Sequence, residues 1–163
     1  MRTDTRSLAS VGSFRVSQNL RSCQNAAMAN PKLGSNYTFS QLLRAYNADS
    51  QADNDVHYLL YQGHEILALC LRYKFNPKPT EVWVGSDPAV AEWGGRLASL
   101  KGKKALPLYY SEKGRTLYTY KGDCLITGDT EDPNELAKRK GPVPLSRIVF
   151  LEILKTGLPG NGS

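Results

Sequence analysis

Residues 66–71, Ile-Leu-Ala-Leu-Cys-Leu, are apolar at every position, with no polar residue to mark a wet face. A half-buried strand alternates apolar with polar, and a surface helix keeps a polar stripe. This run therefore predicts a central strand covered on both faces, with a buried helix as the alternative. Cover on both sides means layers, and 163 residues are enough to build them around one core without disulfide staples.

The neighbouring segments supply those layers. Thr38 followed by Gln41 makes a capping-box pattern, and Phe39, Leu42, Leu43 and Tyr46 recur at helical spacing, which predicts a helix over 39–48. Apolar runs over 56–61 and 65–75, separated by Gln62-Gly63-His64, read as a hairpin. Asn76-Pro77-Lys78-Pro79 then forces a turn before a strand over 81–85. Ser86-Asp87-Pro88 opens a helix whose apolar stripe is Val90, Trp93, Leu97 and Leu100. Strands follow over 106–111, 117–121 and 124–127, the last two joined by a tight turn at Gly122-Asp123. A short helix from Pro133 and a strand over 147–154 complete the order. Short strands joined by turns predict an α+β fold: a strongly curved mixed, largely antiparallel sheet or small β-barrel with two or three flanking helices. The expected organisation is a disordered basic tail over 1–36, one barrel-like domain over 37–155 and a flexible tail over 156–163. Met28 reads as an alternative start within that first tail.

Charge is uneven along this chain of net +6. The first thirty residues hold four arginines against Asp4, residues 31–100 are near balance, and residues 101–163 carry eleven basic against seven acidic groups. Such ends favour an anionic partner. No apolar run reaches the roughly 18 residues that cross a bilayer, so the reading is no membrane partner. Three scattered cysteines, Cys23, Cys70 and Cys124, make no disulfide framework and fit an intracellular, cytoplasmic or nuclear, setting.

The segment 80–127 concentrates both tryptophans and four of the nine tyrosines beside lysines. Flat rings next to cations suit planar anionic ligands such as nucleotides. Tyr118 and Tyr120 share one strand face, and if Leu117 faces the core, the two rings look outward or into a cleft. Of adjacent Tyr109 and Tyr110, a regular strand buries one, leaving Tyr110 as the site candidate. Trp93 aligns with Val90 and Leu97 as a core residue. The clusters Lys101, Lys103, Lys104 and Lys138, Arg139, Lys140 end helices, where positive charge complements the dipole. Lys113, Arg115 and Lys121 have no such reason to sit beside the tyrosine hairpin and are the candidate phosphate contacts.

The strand Leu106 to Tyr110, the polar hairpin, and then Tyr118, Tyr120, Gly122 and Leu125 resemble the pattern of SRA-like and PUA-like modules. That resemblance implies barrel architecture and binding of DNA or RNA. The combined expectation is a nucleic-acid-binding module that reads a modified or unpaired base in DNA as its sharper form. Trp83, Tyr110, Tyr118 and Tyr120 are then the stacking residues, Lys113, Arg115 and Lys121 the phosphate contacts, and a separate nuclease or helicase a working companion.

Catalytic patterns are sparse. His57 and His64 lack a third metal ligand of suitable spacing, no Gly-x-Ser-x-Gly element occurs, and Gly85 lacks the lysine of a phosphate-cradling loop. No cofactor or resident metal is expected. Two alternatives stay open: a metal-dependent nuclease using Asp123, Asp129, Glu131 and Asp132, and a protein-protein adaptor.

Overall fold

The computed structural model describes residues 31–49 and 58–154. Residues 1–30 and 155–163, which hold most of the two expected tails, and the polar loop over 50–57, with His57, lie outside the described residues. The elements are β1 (Asn36–Tyr37), α1 (Phe39–Ala45), β2 (Leu59–Gln62), β3 (Glu65–Arg72), β4 (Glu81–Gly85), α2 (Pro88–Ala98), β5 (Ala105–Ser111), β6 (Tyr118–Thr130), α3 (Pro133–Ala137) and β7 (Leu145–Ile153). The sheet runs β2-β3-β5-β6-β7-β4, with β1 added to β6. Among the described residues only β3 and β5 pair in parallel; every other pair is antiparallel. The sheet is strongly curled into a half-barrel flanked by three helices, the α+β architecture the sequence predicts.

The all-apolar run is a central strand. Ile66 and Leu69 to Leu71 of β3 are buried between β2 and β5, and its residues divide between two cores. Ile66, Leu69 and Leu71 join Leu106, Leu108, Tyr110, Val82, Val84, Val90 and Leu97 under α2. Ala68 and Cys70 join Tyr109, Tyr118, Tyr120, Leu42 and Tyr46 under α1. The helix α1 starts as its capping box requires: Thr38 Oγ1 accepts from Gln41 N at 3.1 Å, and Gln41 Oε1 accepts from Thr38 N at 2.8 Å. It ends at Ala45, three residues short of the expected length, because Asn47 turns the backbone into the left-handed region at φ 51°.

Two corrections concern β6. The expected turn at Gly122-Asp123 is not a turn; β6 runs unbroken through it for 13 residues. Leu108 pairs with Gly122 but Tyr109 pairs with Tyr120, so Lys121 is an extra residue, a β-bulge beside a glycine at φ 108°. The bulge switches faces: Tyr118 and Tyr120 before it enter the α1 core, Cys124 and Ile126 after it enter the α2 core. The second correction is the edge of the domain. Residues 31–36, expected to be part of a disordered tail, are tied to β6, with Gly34 N donating to Tyr120 O and Tyr120 N donating to Ser35 O, both at 3.0 Å.

Candidate functional site: a cationic shelf beside an aromatic cavity

The four rings expected to meet a ligand are interior. Tyr118 and Tyr120 are each 6% exposed, because the face carrying Leu117, itself exposed, is the wet one and α1 covers the other. Tyr109 and Tyr110 are both buried, since each face of β5 has its own core; Tyr110 is 2% exposed and donates its hydroxyl to Asn76 O at 2.8 Å. Trp83 is 8% exposed, with Nε1 donating to Glu81 Oε1 at 3.0 Å. As stacking platforms on an open surface these positions are corrected: the two-sided cover predicted from the all-apolar strand also covers the tyrosines. Burial is likewise the leading reason the Tyr118 and Tyr110 hydroxyls are pushed up to about 12.

The cations fare differently. Parallel pairing of β3 with β5 sets Arg72 opposite Ser111, so the turn after β3 and the hairpin after β5 emerge side by side. Tyr73 N donates to Ser111 O at 2.9 Å, which ties the two loops together, and Ser111 Oγ donates to Arg115 O at 3.0 Å, which closes the hairpin on itself. Arg72, Lys74, Lys113 and Arg115 are all exposed around a groove of about 430 Å³. Lys113 Nζ lies 5.8 Å from the centre of the Tyr73 ring, which is 38% exposed. Glu112, the one acid among the described residues that line the groove, is paired with Lys121 at 2.8 Å. The structure thus brings Lys113 and Arg115 together as expected, diverts Lys121 into an ion pair, and adds Arg72, Tyr73 and Lys74, which sequence reasoning missed.

Phe75 connects this shelf to a second feature. It carries Lys74 Nζ 5.3 Å from its ring centre and lines a cavity of about 510 Å³. The other walls are Tyr58, Asn76, Trp83 and Val90, with Ser86 and Asp87 and the strap residues Val143 and Pro144. Curling of the sheet makes this cavity: Tyr58 precedes the edge strand β2, Trp83 belongs to the opposite edge strand β4, and Tyr58 donates its hydroxyl to Val90 O of α2 at 2.8 Å. The strap from α3 to β7 is pinned by Arg139, whose guanidinium meets Glu81 at 3.1 Å and Glu135 at 3.1 Å. Burial disfavours ionised Glu81, but hydrogen bonds from Arg139 and Trp83 outweigh it and hold the carboxyl below its usual range. Arg139 is therefore more than a helix-ending charge.

The proposed acidic set is dispersed into other work. Asp129 and Glu131 both pair with Arg147, Asp132 caps α3 through Asn134 N, and Asp123 accepts from the Tyr120 hydroxyl. Arg96 donates to His64 Nδ1 at 2.9 Å. Among the described residues no three His, Cys, Asp or Glu side chains are grouped to hold a metal ion. Cys70 and Cys124 are buried, and desolvation raises both thiols, Cys124 to about 12, so neither is a thiolate at neutral pH. No helix among the described residues is long and apolar enough to cross a membrane.

Compared with protein-family models, with curated proteins and with solved structures, the chain finds no match in any of the three. What defines it is its own geometry: an α+β half-barrel with a cationic shelf at the adjoining ends of two parallel strands.

Proposed function

We propose that this protein binds nucleic acid through the shelf formed by Arg72, Lys74, Lys113 and Arg115, with the partly exposed Tyr73 ring offering a surface to an unpaired base. The observation that carries the reading is the convergence of four exposed cations from two loops around a groove whose single acid is already neutralised by Lys121. Helix capping accounts for none of them, since all four lie at strand ends or in a hairpin. Cations on a fixed frame displace the counterions of a phosphate backbone, and an aromatic ring beside them favours single strands, because every base has a face to stack.

The test is binding of single- and double-stranded DNA and RNA oligonucleotides across a salt series. Alanine at Arg72, Lys74, Lys113 and Arg115 together should flatten the slope of log affinity against log salt by about 0.7 per lost phosphate contact for single strands and weaken binding at low salt about tenfold or more. Removing three cations elsewhere, Lys101, Lys103 and Lys140, should leave both nearly unchanged. Equal losses in the two variants would reduce the effect to net charge and overturn the assigned shelf. Tyr73→Ala should weaken single-strand binding by about 1–3 kcal/mol while sparing duplex.

A further inference from the structure

The cavity beside the shelf carries an observation of a different kind. Asn76 is 2% exposed, and three of its four polar groups are committed: its N donates to Arg72 O at 2.8 Å, its O accepts from the Tyr110 hydroxyl, and its Oδ1 accepts from Trp83 N at 2.7 Å. The donor at Trp83 fixes which end of the amide is oxygen. The Nδ2 group is left without an acceptor among the described residues, in a side chain that lines the cavity. A buried amide donor without a partner costs about 1–3 kcal/mol, so such groups are rare in folded proteins unless a ligand or water completes them.

The rest of the lining narrows what could complete it. Tyr58, Phe75 and Trp83 provide aromatic walls, Val90, Val143 and Pro144 aliphatic ones, and Ser86 and Asp87 stand exposed at the mouth. The Asp87 side chain, although at the N-cap of α2, makes no capping hydrogen bond. Among the described residues no lysine or arginine lines the cavity. Its volume, about 510 Å³, falls within the roughly 300–1,000 Å³ of small-molecule sites.

We infer that this cavity binds a neutral, planar heteroaromatic ring system of one or two rings that presents a carbonyl or ring-nitrogen acceptor to Asn76 Nδ2 and an N–H donor to Asp87. Flat rings pack against the aromatic walls, the absence of cations among the described lining residues selects against an anionic head group, and the acceptor on the ligand satisfies the buried Nδ2 group of Asn76. The inference does not rest on the shelf; a free heterocycle and a base on a strand share this chemistry.

The experiment uses the full chain with Trp93→Phe, which leaves Trp83 as the only tryptophan, titrated with uridine, cytidine, adenosine and guanosine and, separately, with single-stranded oligonucleotides of each base. Saturable quenching of Trp83 is expected for at least one free nucleoside or one oligonucleotide. A response to nucleosides identifies a free heterocycle as the source, and a response confined to oligonucleotides identifies a strand; both keep the pocket. Val143→Trp, at an exposed strap position, should obstruct the cavity, read by ligand-observed magnetic resonance in the otherwise native chain. Asn76→Asp keeps the acceptor for Trp83 N but removes the donor. Each should weaken binding by about tenfold or more, the size of one hydrogen bond to a buried partner. The shelf variant should bind a free nucleoside as the parent does, so failure of the shelf and failure of the cavity are read apart. No quenching by either class of ligand, or unchanged affinity in Val143→Trp with its melting temperature retained, would overturn the inference.

Discussion

The two faces of the sheet are built from different materials. Under α2 the core is chiefly aliphatic, and the helix lies so close to β4 that a Cβ on Gly94 would stand 2.5 Å from Val84 Cγ1. Under α1, a helix of seven residues that buries only Leu42 along its length, the space is filled by tyrosines: Tyr46 at the helix end, Tyr109 from β5, Tyr118 and Tyr120 from β6. A long helix can approach and be met by small branched side chains. A short one leaves a gap that only large rings span, and their hydroxyls must then find partners, as Tyr46 and Tyr109 do with each other at 2.7 Å and Tyr120 does with Asp123. Tyrosine density is here a consequence of thin cover, which is why it misleads as a mark of a ligand surface.

This contrast can be broken in order of expected size. Tyr109→Ala should be the most damaging change, about 3–5 kcal/mol, because it empties the centre of the tyrosine face and strands the Tyr46 hydroxyl. Chemical denaturation reads it directly; a loss near zero would mean that α1 is not held by rings. Gly94→Ala comes next. In an exposed helix interior this exchange stabilises by about 1 kcal/mol, whereas the close contact with Val84 should reverse the sign and cost about 1–3 kcal/mol. Thr38→Ala should cost about 1 kcal/mol by deleting half of the capping box, and hydrogen exchange should show the loss in α1 with α2 unaffected.

Much of this fold is legible from local pattern. The capping box located the start of α1, Pro88 the start of α2, and the unbroken apolar run the central strand, since each is decided by residues within one turn or one strand. What failed was decided elsewhere. Gly122-Asp123 has the composition of a turn, but both residues pair with β5 inside one continuous strand, with Lys121 as the bulge beside them, and the rings that precede it are covered by α1. The shelf was half legible: Lys113 and Arg115 stand out in the hairpin, whereas Arg72 and Lys74 join them only through the parallel pairing of β3 with β5, which no short stretch of sequence declares. The cavity depends on curvature that brings Tyr58 and Trp83 together, and Asn76 read simply as the residue before a proline.

The order of strands bears on how the chain survives its own synthesis. Glu81 is matched with Phe150, so β4 emerges long before β7, the strand that hydrogen-bonds to it among the described residues. Until then its hydrogen-bonding flank lacks the strand it pairs with in the folded protein. α2, which rests through Gly94 on the Val84 side chain, covers a face of β4 and not that edge, so the edge stays open to a wrong partner until β7 is made.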